Sequence, residues 1–175
     1  TIFTNINYGV YTKNNAHIDI KSKDFSISDS YIPVYAGGNS SVNIQEADNI
    51  DLNFSHSGIY SKDSATVAMK SSNFSMTGQY GLNASGNSSI LVEADNVSLD
   101  AGALAYGEDN STIRLAANSS GTLYGDVAAF GASNISLELG GTTQWTGASG
   151  KSAEARLQVE LEDTATWHVL PAYTS

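Results

Sequence analysis

At 175 residues the chain is long enough for one sizeable core and too short for two compact domains. Eighteen acidic side chains against eight basic ones give a net charge of −10, which repels polyanions and excludes nucleic acid as a partner. Charged residues make up only 15%, too few for a disordered charged tail, and there is no cysteine, so stability rests on packing and the backbone ladder.

The first repeat shows the building unit. Val10 opens one apolar run, Ile18-Asp19-Ile20 alternates in a second, and Ile27 marks a third. Alternation with period two over so few residues predicts half-buried strands. The first column continues through Val34, Ile59, Leu82, Ala105 and Ala129, at steps of 24, 25, 23, 23 and 24. The second runs through Ile18, Val42, Val67, Ile90, Ile113, Ile135 and Leu157, at steps of 24, 25, 23, 23, 22 and 22. The third runs through Ile27, Leu52, Met76, Leu99, Leu123, Trp145 and Trp167, at steps of 25, 24, 23, 24, 22 and 22. A unit of three short strands cannot bury its apolar side alone, whereas stacked units enclose a continuous interior. The predicted fold is therefore all-β, a right-handed single-stranded parallel β-helix of about seven rungs with three short strands each. Residues 1–125 are read as regular rungs of 23–25 residues and 126–175 as shorter rungs of 22.

The turns carry columns of their own. Asn15, Asn39, Ser64, Asn87 and Asn110 precede the second strand, where Asn tolerates left-handed backbone angles. Asp24, Asn49, Asn73 and Asn96 precede the third strand, where stacked amides pass hydrogen bonds from rung to rung. Lys21, Glu46, Lys70 and Glu93 alternate in sign and are expected to pair across neighbouring strands.

Catalytic and metal motifs are missing from the sequence. His17, His56 and His168 lie far apart, there is no Gly-x-Ser-x-Gly elbow, and no glycine-rich segment links a strand to a helical pattern. The chain is therefore read as non-enzymatic, with no cofactor and no metal. One column has a functional reading. Tyr11, Tyr35, Tyr60 and Tyr106 directly follow the first apolar column, with Asn83 and Phe130 completing the set. Adjacent strand residues face opposite sides, so these rings are expected to point outward. Two readings stand side by side: a stripe that stacks on sugars or a partner protein, and a pile that braces neighbouring rungs.

The rung pattern, the Asn/Ser/Gly-rich turns and the lack of cysteine resemble the passenger region of type V autotransporters of Gram-negative bacteria, including pertactin-like and adhesin passengers. Thr166-Trp167-His168-Val169 followed by Ser175 looks like the tryptophan-containing rung that precedes the C-terminal autochaperone and translocator barrel in that family. The chain opens at Thr1 and not at Met, and is read as one segment cut from a longer passenger. The resemblance implies a secreted or surface-exposed adhesin stalk. Its expected partners are a host cell surface, matrix or glycan, or an identical passenger on another cell, with no membrane contact from this segment. Two alternatives accompany it: a β-helical carbohydrate-active enzyme such as a polysaccharide lyase or glycosidase, and a pure spacer presenting a distal domain.

Overall fold

A computed structural model describes residues 2–171; Thr1 and Ser175, which figure in the sequence reading, lie outside the described residues. Among the described residues fifteen strands form one sheet that coils on itself, and every pairing is parallel. The chain is a parallel β-helix of about seven turns with three faces.

The winding follows the chain. β1 (Ile2–Thr4) lies on the third face, after which β2 (Tyr8–Lys13), β3 (His17–Lys21) and β4 (Asp24–Ser30) occupy faces one, two and three. β5 (Ile32–Gly37) returns to the first face, and β6 (Ser41–Phe54) turns a corner to cover the second and third. β7 (Ser57–Lys62) again takes the first face. From there β8 (Thr66–Ser85), β9 (Ser89–Gly107) and β10 (Thr112–Ala129) each run through faces two, three and one without a break. In the middle of the rod the three predicted strands of a rung are thus fused into one bent strand. The last turns return to short pieces: β11 (Asn134–Leu139), β12 (Gln144–Gly147), β13 (Ser149–Lys151), β14 (Arg156–Leu161) and β15 (Thr166–Val169).

The second apolar column stacks in register from Ile18 to Leu157, and the third from Ile27 to Trp167. Their middle members, such as Val42, Leu52, Val67, Met76 and Leu99, are fully buried, each contributing about 1.5–3 kcal/mol by leaving water. Corners are kept tight by small buried residues. Ser40, Ala65, Ser88, Ser111 and Ser133 stand immediately before the strands of the second face.

The first column departs from expectation at its last member. Val127, not Ala129, lies opposite Ala105, and Ala129 lies opposite Gly107. The rung shortens because the strand slips twice between Tyr124 and Val127, so that Ala101, Gly102 and Leu104 have no partner opposite them on β10. Gly125 makes the slip possible. Its φ of 134° brings the backbones so close that a Cβ would lie 2.1 Å from the Ala101 carbonyl oxygen. Ala129 falls instead into a corner column of small residues with Ala36, Ser61, Ala84 and Gly107.

Two turn and charge columns are also adjusted. Asn15, Asn39, Ser64 and Asn87 have the left-handed φ expected of them, whereas in the fifth rung Asp109 takes that role and not Asn110. Lys21 faces Gln45 in the ladder; Glu46 sits on a bulge with φ of 61° and reaches Lys21 at 3.5 Å. Lys70 and Glu93 oppose each other directly at 2.8 Å, and this hydrogen bond holds the Glu93 carboxyl below its ordinary range.

Candidate functional site

The tyrosine stripe forms as a pile of rings. Tyr11, Tyr35 and Tyr60 stand opposite one another on β2, β5 and β7, with Tyr11 stacked on Tyr35 at 4.8 Å and Tyr35 edge-on to Tyr60 at 5.7 Å. Tyr8 closes the group, 5.0 Å from Tyr11. Tyr106 is separated from this pile by Asn83, which lies opposite both Tyr60 and Tyr106. Phe130 was expected in the same column, but Ala128 occupies that place; the Phe130 ring still packs 5.6 Å from Tyr106. The slip that moved Ala129 moved its neighbour as well.

Exposure along the pile is uneven. Tyr35 is only 9% exposed, and its burial pushes the phenol pKa up. Tyr60 and Tyr106 are half-buried, and the Tyr106 hydroxyl donates to Glu108 at 2.6 Å. That bond, together with burial, raises its pKa to about 12. Tyr8 and Tyr11 are exposed, but they belong to the first described rung, where no further ring covers them. Ring-on-ring packing of this kind is worth about 0.5–1.5 kcal/mol per pair beyond burial. A second pile escaped the sequence reading: His56 lies 4.7 Å from Tyr31 and 5.6 Å from Tyr80. Its signal was present as steps of 25 and 24 between these residues.

The third face carries an open groove of about 710 Å³. It runs along the axis from β6 to β12, in the interior of the stack and clear of both ends. Two outward columns form its floor. One is the predicted amide ladder, with Asn49 donating to Asp24 at 2.7 Å, Asn73 to Asn49 at 2.9 Å, and Asn96 to Asn73 at 3.0 Å. Ser120 continues it by donating its hydroxyl to Asn96 at 2.7 Å. The other consists of Asp51, Ser75, Ser98, Thr122 and Gln144, which stand directly above one another. Between the columns Ile50, Phe74 and Val97 point into the core, and Gly121 has no side chain. The face is hollow because its outward residues are small. Sequence reasoning had the ladder but not the groove.

The groove is nearly uncharged. Asp51 is the one ionisable residue lining it, and its carboxylate accepts the Ser75 hydroxyl at 2.6 Å. Asn73 and Asn96 are engaged in the ladder, so the Asn-x-Ser triplets they begin serve the stack. Tyr124 lies two residues beyond Thr122 on the same outward side of β10 and is 52% exposed. A second, smaller hollow of about 350 Å³ sits at the corner between faces two and three and gathers Glu46, Asp48, Glu93 and Asp95 around Lys70. Among the described residues no three His, Asp or Glu side chains are arranged to hold a metal ion. No helix of the described residues is long and apolar enough to cross a membrane.

No family model, no curated protein and no solved structure matches this chain.

Proposed function

We propose that the chain is a non-catalytic section of an adhesin rod, displayed on or secreted from a bacterial cell, that holds a partner against its flank. The observation that carries this reading is the groove on the third face. It extends across five rungs, it lies away from the ends, and four of those rungs are tied by the side-chain ladder from Asn49 to Ser120. A site on a locked scaffold loses little entropy when a partner docks.

The carboxylates support binding over hydrolysis. Acid–base cleavage of a glycosidic bond requires two carboxyl groups facing each other across the substrate, and the groove lining offers Asp51 alone. The acidic corner is interrupted by Lys70 between its two carboxylate-bearing rungs. The tyrosine pile supports a bracing role: the rings spend their faces on one another, and Tyr35 is buried.

The test is adhesion of beads coated with the 175-residue chain to epithelial cells, to matrix and to each other. Capture on any of these surfaces, lost when Ser98→Ile fills the groove, is the expected result. Equal retention of coated and bare beads would leave only a spacer.

A further inference from the structure

We infer that the groove on the third face takes a neutral, unbranched, β-linked glycan lying parallel to the rod axis; this rests on the adhesin reading and names the partner at that same site. Four observations select the occupant. The first is charge. No Lys or Arg lines the groove, the one carboxylate is at its β6 end, and the whole chain carries −10, so uronates, sulfated glycans and sialic acids are repelled.

The second is the kind of hydrogen bonding on offer. Each strand of the third face is paired on both sides through β6, β8, β9 and β10, so its backbone groups are consumed. An extended peptide, which binds sheets by adding a strand to an open edge, has no edge to use here. Hydroxyl and amide side chains remain, at Ser75, Ser98, Thr122 and Gln144. Ser98, Thr122 and Gln144 both donate and accept, as sugar hydroxyls do, and Ser75, whose proton goes to Asp51, accepts.

The third is the period. Equivalent side chains recur every rung, about 4.8 Å apart, and an extended β-1,4-linked chain advances by nearly the same distance per ring. Each sugar therefore sits over one rung, and the half-turn between successive β-1,4-linked rings brings the same sugar edge back to the column at every second rung. The fourth is Tyr124, an exposed ring at the flank of the hydroxyl-bearing column. A pyranose presents an apolar C–H face to such a ring while its hydroxyls turn to the floor.

The experiment titrates the chain with cello- and chito-oligosaccharides of two to six units, and with oligogalacturonate and heparin fragments, by calorimetry. The expected result is binding of the neutral series alone, tightening with each added sugar until about five rungs are covered. Ser98→Ile and Tyr124→Ala should each weaken it by about tenfold or more, equivalent to about 1.4 kcal/mol. Asn43→Ile, an outward residue on the second face, should leave it unchanged. Circular dichroism confirms that each variant is folded. Tighter binding of the anionic fragments, affinity independent of length, or indifference to both groove variants would overturn the inference. The bead assay separates this failure from that of the adhesin reading. Capture that Ser98→Ile abolishes but soluble neutral glycan does not block, or clumping of coated beads with one another, rejects the glycan and keeps the adhesin.

Discussion

The rungs built by β6, β8, β9 and β10 and those built by β11 to β15 hold the same coil together by different means. In the middle of the rod, rungs of 23–25 residues form nearly continuous strands, with aliphatic side chains stacked inside and an amide ladder stacked outside. Towards the C-terminal end each rung loses one to three residues and the strands become short. There the third column changes from leucine to tryptophan. Trp145 is fully buried, Trp167 stacks on it at 4.4 Å, and each indole N–H donates to a glycine carbonyl of the rung below, Gly125 at 2.9 Å and Gly147 at 3.0 Å. The difference teaches that a shorter rung is held by fewer, larger contacts. Where the backbone gives up ladder length, one aromatic column takes over packing and hydrogen bonding together.

Replacing Trp145 breaks this comparison most directly. Trp145→Ala empties the core and orphans the Gly125 carbonyl, so a loss of about 3–5 kcal/mol is expected in chemical denaturation. Hydrogen exchange should show β11 to β15 opening while β8 and β9 stay protected. Uniform loss of protection along the whole rod would mean that the two regions fold as a single unit.

The amide ladder is the matching test for the middle. Asn73→Ala severs the bonds to Asn49 and from Asn96, and about 1–2 kcal/mol should follow at roughly 1 kcal/mol per bond. Thr142→Ala, at the corresponding outward position of the C-terminal rungs, should cost less than about 0.5 kcal/mol.

A smaller effect probes the seam between the regions. The Arg114 guanidinium grips Glu138 with two nitrogens, one at 2.6 Å, and ties β10 to β11. Arg114→Met should cost about 0.5–1 kcal/mol at low salt, an effect that shrinks as salt is added.

A pH-dependent effect is read at the Tyr106 hydroxyl, whose pKa of about 12 in the folded chain exceeds the value near 10 of a free phenol. The folded state thus holds this proton more tightly. The associated stability is complete below about pH 10 and is lost as pH rises towards about 12. Tyr106→Phe should flatten that part of the alkaline limb in a series of denaturation midpoints. An identical limb in the variant would assign it to other groups.

The second and third columns were legible because bulky apolar residues recur at the same place in each rung, as at Ile113, Ile135 and Leu157. The first column failed at a place where parity carries no information. Val127 and Ala129 are two residues apart, so both point inward, and a step of 22 looks as sound as one of 24. Only the left-handed backbone at Gly125 decides between them. The ladder was visible as a run of Asn, whereas the groove depends on how the third face curves and on what its small side chains leave empty. Burial of Tyr35 was hidden for a related reason: alternation places a ring outside the coil, but only neighbouring rings decide whether water reaches it.

Everything rests on turns superposed one per rung, and distances between spin labels on one outward column measure that directly. Asn43, Ala68, Leu91, Arg114, Ser136 and Gln158 stand one above another on the second face. Labels at 43 and 136 span four rungs and should lie roughly 19 Å apart, and labels at 43 and 158 span five and should lie roughly 24 Å apart, at about 4.8 Å per rung. A difference near one rung spacing between the two pairs is the predicted result. A 43–158 distance shorter than the 43–136 distance would contradict a parallel coil.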